Sequence, residues 1–375
     1  MKIVCDNKIP FIKGVFEPYA EVLYLPGRET TPDLVRDADA LITRTRTDCS
    51  ARLLKGSSVR VIATATIGFD HIDTAWCEAN GIIWRNAPGC NSSSVKQYIM
   101  ALLLQTARLR GLELPRLTLG VVGVGHVGSK VAAAASALGM KVLLCDPPRA
   151  RREGPGGFVA LDRLVAESDI ITLHVPLEKK GPDATWHLFD AARFAQMRPG
   201  QILFNSSRGP VVDCSALKKA LSSGHIAGAS LDVWEGEPDL DPELVRLLDF
   251  STPHIAGYSA DGKANGTAAA VHVVASVLGL PLGDWQPESV PAPAQPLSFP
   301  LDASGRSVQD LLFEAVTHSY DLAADSAALR ADLPAFERLR GDYPVRREFG
   351  AFTVRLQGAC PEAADALSKL GFNIA

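Results

Sequence analysis

The chain has 375 residues, 47% of them hydrophobic and 21% charged, with a formal net charge of −4. Such a length calls for more than one core, and the composition is that of a globular protein. The mild acidity argues against nucleic acid as a main partner, because a phosphate-binding surface shows a basic excess, but it leaves room for a local anion site.

The seven cysteines (Cys5, Cys49, Cys77, Cys90, Cys145, Cys214 and Cys360) are scattered and odd in number, without a C-x-x-C pair. They read as free thiols of a reducing compartment. The N-terminus MKIVCDNKIP lacks the apolar run of a signal peptide, and no stretch approaches the ~20 apolar residues of a membrane span. A cytoplasmic protein without membrane or nucleic-acid partners is expected. The histidines form no zinc pattern and no G-x-S-x-G elbow occurs, so neither a metal site nor a serine hydrolase is expected.

In chain order, KIVC (2–5), ALIT (40–43), VRVIAT (59–64) and GIIW (81–84) read as buried strands, with helical patterns at 31–37 and 70–80. Residues 92–110, SSSVKQYIMALLLQTARLR, predict a long apolar-rich helix able to serve as a rigid connector. A second strand series follows: LTLGVVG, KVLLC, DIITLHV, QILFN and AGASLDV. These strands are apolar on both faces, as parallel strands covered by helices must be. The alternation predicts an α/β protein with two Rossmann-like, doubly wound parallel-sheet domains. A helix over 263–278 is placed to return the chain to the first of them.

Six prolines fall within residues 281–300, a density that defeats helix and central strand alike and reads as a linker or extended arm. Beyond it, a helical pattern at 307–322 and a strand–helix–strand pattern at the end predict a small C-terminal α+β domain. The expected division is 1–93 with 257–280 for a discontinuous substrate-binding domain, 94–256 for a dinucleotide-binding domain, 281–300 for the linker and 301–375 for the tail.

LGVVGVGHVGS places Gly123, Gly125 and Gly128 as G-x-G-x-x-G between a strand and a helix expected over 127–138. Gly123 permits the tight turn, Gly125 lets the backbone approach a pyrophosphate, and Gly128 allows close packing of helix on strand. The helix N-terminus offers N–H groups and positive potential to the phosphates. Asp146, at the end of KVLLC, stands where an acid accepts hydrogen bonds from the adenosine ribose and repels a 2′-phosphate, which favours NAD over NADP. Arg149, Arg151 and Arg152 pull the other way and read as a solvated loop.

In doubly wound sheets ligands collect at the C-terminal strand ends. Arg208 lies there in NSSRGPVVD, Asp232, Glu235 and Glu237 in LDVWEGEP, and His254 in PHIAGYS. Singly, each is ordinarily an ion pair, a cap or a structural histidine. Together, an arginine grips a carboxylate, a histidine trades a proton near neutral pH, and a carboxylate orients that histidine. Hydride exchange between a 2-hydroxy acid and NAD needs these three parts.

With GVGHVG, these motifs resemble the D-isomer-specific 2-hydroxyacid dehydrogenase family over roughly residues 35–280. The resemblance implies Arg208 as ligand of the substrate carboxylate, Glu237 as partner of the histidine and His254 as the acid/base. It implies NAD contacts from Gly123, Gly125, His126, Val127, Gly128, Asp146, Ser206, Ser207, Asp232 and Gly257. TATIGFDHID, RNAPGCNSSSV, LCDPPRA, HIAGYSADGKANGT and YPVRREF bring it nearest to members acting on a phosphorylated 2-hydroxy acid, with Thr45, Thr66 and Tyr258 touching substrate. Thr45 replaces the usual serine, and Val175 stands where a threonine on the cofactor is usual. Arg44 or Arg46 in TRTR is expected to bind the phosphate, with Arg346 and Arg347 in the tail as further candidates. The tail is similar to a dimerisation domain, implying a homodimer. A family member acting on a shorter phosphorylated acid, and an NAD-sensing corepressor-type binding protein, are the rival readings.

Overall fold

The computed structural model describes Met1–Ala375, and the chain divides into two compact units, Met1–Asn91 with Ser259–Pro291 and Ser92–Tyr258 with Ala292–Ala375.

The first unit is built on five parallel strands, β1 (Lys2–Asp6), β2 (Glu21–Leu25), β3 (Ala40–Thr43), β4 (Val61–Thr64) and β5 (Ile83–Arg85), in the order β2-β1-β3-β4-β5. Successive side chains of a strand point to opposite faces. Ile3, Cys5, Ile42, Val61 and Ala63 therefore pack with Ala270, Val271 and Val274 of the helix Ala260–Leu278. Val4, Leu41 and Ile62 meet Leu53, Leu54 and Cys77 on the other face. The returning helix begins at Ala260, ahead of the expected 263, because Ser259 Oγ accepts the Gly262 N–H at 2.8 Å. Strand β2 was not expected. It is an edge strand that is mostly half-buried, although VLYL is as apolar as the runs of its neighbours.

The second unit carries six parallel strands, β6 (Thr118–Val122), β7 (Lys141–Cys145), β8 (Ile170–Leu173), β9 (Ile202–Asn205), β10 (Gly228–Leu231) and β11 (Phe250–Ser251), in the order β11-β10-β9-β8-β6-β7. The chain reverses its winding between β6 and β8, the switch point at which such sheets bind ligands. One face is covered by the helices Ser92–Arg110 and His126–Ala137, the other by Leu161–Glu167, Ala191–Gln196, Cys214–Ser222 and Pro242–Leu247.

The tail contributes a parallel three-stranded sheet, β12 (Ser298–Asp302), β13 (Thr353–Gln357) and β14 (Asn373–Ile374), with the helices Val308–Ser319, Leu322–Ala331 and Pro361–Leu370. Strand β12 takes the last residues of the proline-rich stretch 281–300, expected as a linker or extended arm, into the edge of a sheet. Pro300 lies in this edge strand, where the missing N–H costs no ladder bond, and Phe299 and Leu301 turn inward. Leu311, Phe349 and Phe352 of the tail share one core with Ile99, Leu102 and Leu103 of the helix Ser92–Arg110. No helix is long and apolar enough to cross a membrane.

Candidate active site

The glycine loop leaves β6 at Gly123, whose φ of 86° belongs to the left-handed region; a Cβ there would lie 2.5 Å from the His174 carbonyl oxygen. A Cβ on Gly128 would come within 1.9 Å of the Gly123 oxygen, whereas one on Gly125 would meet nothing within 4 Å. The three glycines thus serve the turn, the open approach and the helix–strand contact in the manner a dinucleotide requires. Gly125 caps the helix that starts at the exposed His126 and the half-buried Val127. Beside the loop is a cavity of about 640 Å³, lined in part by Gly123, Gly125, Asp146, His174, Val175 and Leu188. Val175 lines it with an aliphatic surface.

Asp146 follows β7 and spends an oxygen on each of two N–H groups, those of Val124 (2.8 Å) and Arg149 (2.9 Å). It joins the glycine loop to the helix Pro147–Glu153, so the arginines expected on a solvated loop are helical. Arg149 and Arg152 pair with Glu153 at 2.7 Å, and Arg151 pairs with Asp183. These bonds, that of Arg149 first, draw the Glu153 carboxyl down to about 2. All three guanidiniums are already paired, Arg149 and Arg152 sharing Glu153 and Arg151 on Asp183, an arrangement that suits an unphosphorylated ribose better than a 2′-phosphate. The loop, the cavity and the acid-matched arginines fit NAD.

Arg208 follows β9 in a turn fastened by Asn205. The Asn205 Oδ1 accepts from Ser207 N (3.0 Å) and Ser207 Oγ (2.8 Å), while its Nδ2 donates to the Arg208 carbonyl at 2.9 Å. Ser206 Oγ is buried without a hydrogen-bond partner in the protein. A Cβ on Gly209 would sit 2.0 Å from the Trp234 carbonyl oxygen. The arginine turn therefore touches the loop that follows β10 and carries Glu237. Asn205 and Gly209 were missed as site residues although both stand in the motif; the glycine after the arginine was the available signal.

Glu237 and His254 are brought together, with Oε2 and Nδ1 2.8 Å apart, and Glu237 Oε1 accepts the Trp234 N–H at 2.8 Å. Burial pushes the Glu237 carboxyl up, but the His254 hydrogen bond and charge, the Trp234 N–H and the Arg340 charge outweigh it and leave it below the ordinary range. Glu235 turns elsewhere, to His187 Nε2 at 2.7 Å. His254 has a φ of 56°, unusual for a residue with a side chain. Its N–H donates to the Asp232 carbonyl at 2.8 Å. The buried Asp232 carboxylate accepts from Thr252 Oγ1 (2.6 Å), Ile255 N (2.8 Å) and Ala256 N (2.9 Å), so its partners in this structure all belong to the histidine loop. Burial raises its carboxyl nonetheless. Next along, Gly257 and Tyr258 are half-buried; the Tyr258 ring meets that of Tyr343 edge-on at 6.2 Å, with the Arg340 guanidinium 5.5 Å from its centre.

The remaining expected contacts lie in the first unit. Thr45 and Arg46 are exposed just past β3, and Arg44 Nη1 donates to the Lys8 carbonyl at 3.2 Å. The Arg44 carbonyl accepts from Thr64 Oγ1 (2.7 Å) and lies 3.2 Å from Thr66 Oγ1, so the threonines at the end of β4 brace this turn. In the tail, Arg346 is buried and bonded to the Ile255 and Ala256 carbonyls, which corrects its reading as a phosphate ligand.

Residues 85–256 match the family described as D-isomer specific 2-hydroxyacid dehydrogenase, NAD binding domain, and residues 296–371 match a domain of unknown function. Erythronate-4-phosphate dehydrogenase of Bacteroides fragilis is 47% identical over 355 residues, covering 94% of this chain and 99% of that protein. Its namesake from Porphyromonas gingivalis is 44% identical over 375 residues, covering 99% and 100%. The crystal structure of D-lactate dehydrogenase from Aquifex aeolicus, complexed with NAD and lactic acid, is similar with a TM-score of 0.60 at 28% identity, covering 74% of this chain and 96% of that one. An NAD-binding glycine loop, a paired histidine and glutamate, and this kinship agree. The chain belongs to the erythronate-4-phosphate dehydrogenases, within the NAD-dependent D-isomer-specific 2-hydroxyacid dehydrogenase family.

Proposed function

We propose that this enzyme oxidises 4-phospho-D-erythronate to 2-oxo-3-hydroxy-4-phosphobutanoate, a reaction of pyridoxal 5′-phosphate biosynthesis. The observation that carries the catalytic assignment is the 2.8 Å contact between His254 Nδ1 and Glu237 Oε2. A carboxylate there accepts the Nδ1 proton and fixes the tautomer, leaving Nε2 as the base for the C2 hydroxyl. When that proton transfers, Glu237 stabilises the imidazolium. Arg208 is assigned to the C1 carboxylate, which a guanidinium grips with two parallel bonds. Bound NAD would supply the acceptor for the hydride of C2. Gly123, Gly125, His126, Val127 and Gly128 would hold its pyrophosphate, Asp146 its ribose, and Ser206, Ser207, Asp232 and Gly257 the remaining parts.

Tyr258 is assigned to the substrate, as are Thr45 and Thr66 from the first unit, with Arg44 or Arg46 on the phosphate. The first unit is thus the substrate-binding domain, and the protein is read as a cytoplasmic homodimer joined through residues 301–375. The deciding experiment follows NADH formation with 4-phospho-D-erythronate beside 3-phosphoglycerate. A higher kcat/KM for the longer acid is expected, and equal or better use of 3-phosphoglycerate overturns the substrate assignment. Replacing Arg44 and Arg46 together should raise KM for the phosphorylated acid; an unchanged KM removes them from the phosphate site.

A further inference from the structure

Arg346 carries a charge into the interior of the second unit and is only 4% exposed. Its Nη2 donates to the carbonyl oxygens of Ala256 (2.6 Å) and Ile255 (3.1 Å) and to Ser94 Oγ. Ser94, near the start of the helix Ser92–Arg110, donates in turn to the Ala256 carbonyl at 2.9 Å. The guanidinium carbon lies 4.4 Å from the Tyr320 ring centre and 5.7 Å from that of Tyr343, whose hydroxyl donates to Asp325 at 2.6 Å. Tyr320, Tyr343 and Asp325 all come from the tail, so a tail-built socket delivers this cation to a loop outside the tail.

The two residues that Arg346 holds adjoin His254. Their N–H groups end on the Asp232 carboxylate at 2.8 and 2.9 Å, and their carbonyls end on Arg346. Every backbone polar group of Ile255–Ala256 is therefore engaged by a buried charge, negative from the end of β10 and positive from the tail. Hydrogen bonds to charged groups are the strong ones, and two opposed sets leave the dipeptide little freedom to rotate. His254 needs such restraint, because its left-handed backbone persists only where the surroundings impose it.

We infer that Arg346 is a positioning residue of the dehydrogenase reaction: the tail clamps Ile255 and Ala256 and thereby keeps the His254 ring on Glu237 and in register with the substrate hydroxyl. The inference rests on the assignment of His254 as the proton acceptor, and it gives the tail a part in catalysis.

The test compares Arg346→Met, Arg346→Ala, Arg346→Lys and His254→Gln, using the acid that the wild type turns over. NADH binding is titrated for each variant, and kcat is expressed per NADH-binding site, which removes any misfolded fraction. Misplacement of a catalytic group costs roughly 10²-fold. Arg346→Met and Arg346→Ala are expected to lose about that much kcat per site while NADH affinity stays within about threefold. Arg346→Lys should recover part of the loss, and added guanidinium should partly restore Arg346→Ala. An unchanged kcat per site overturns the inference, and so does a loss of activity that only parallels the loss of NADH binding. If His254→Gln turns over like the wild type, the reading of His254 fails instead, whatever the Arg346 variants do.

Discussion

His254 makes two bonds with separate consequences: its backbone N–H fixes the loop on Asp232, and its ring Nδ1 fixes the tautomer on Glu237. Glu237→Gln keeps a hydrogen-bonding carbonyl but removes the charge that stabilises an imidazolium. We expect kcat to fall by ~10²-fold or more, with NADH affinity unchanged in a fluorescence titration. A kcat within a factor of about two of wild type would remove Glu237 from the proton-transfer step. The same pair sets a pH dependence. The Glu237 carboxyl is held below its ordinary range despite burial, so its folded value is depressed. Such a group stabilises the fold above its unfolded value, about 4.3, and the contribution disappears as pH falls through the folded value. Thermal melts should therefore show wild type above Glu237→Gln near neutrality, with the gap closing below about pH 4. A gap that persists or widens in acid would contradict the sign.

At the level of elements, the readable parts were those where one local cause dominates. The continuous apolar runs of β3 and β7 and the uninterrupted pattern of the helix Ser92–Arg110 appear where expected, and Gly123 and Gly128 fix their loop by steric demands that another residue would violate, while Gly125 leaves the approach open. Strand β12 escaped because its Pro300 argued against a strand although an edge position tolerates it, and β2 escaped although VLYL is as apolar as the runs that were read. The pairing of Arg346 with Ile255 and Ala256 could not be read at all, since it joins backbone groups to a side chain ninety residues away, and carbonyls carry no sequence signal. Gly209 falls between these cases: the motif displayed it, but its reason is a contact with the loop after β10. A Cβ there would lie 2.0 Å from the Trp234 carbonyl oxygen and 2.1 Å from its carbon, and backbone has no rotamer with which to yield. Gly209→Ala must push the Arg208 turn and the Glu237 loop apart. Overpacking of this kind costs ~1–3 kcal/mol, measurable by urea denaturation, and KM for the acid should rise as Arg208 moves. Wild-type stability and KM in this variant would mean that the two loops separate freely.

Across the second unit, the tail is bound by more than a surface contact. Lys96 Nζ donates to the Leu370 carbonyl at 2.5 Å and Gln97 Nε2 to the Arg347 carbonyl at 3.0 Å. Gln309 accepts from Leu114 N and donates to the Leu112 carbonyl, both at 2.9 Å. Between these bonds, Leu311, Leu312, Phe349, Phe352 and Leu370 pack in one core with the helix Ser92–Arg110. Burying each such side chain contributes about 1.5–3 kcal/mol, against a net stability of ~5–15 kcal/mol for a whole domain. Losing five of them, before counting the surface uncovered on the helix, is enough to consume that margin. A chain ending at Pro291 is therefore expected to lose the fold of the dinucleotide-binding sheet as well as any dimer contact. Near-UV circular dichroism and NADH titration of the truncated chain test this directly. A well-packed monomer that still binds NADH would make the tail an assembly module alone; collapse of both signals fits a tail that completes the core on which the glycine loop and the His254 loop are mounted.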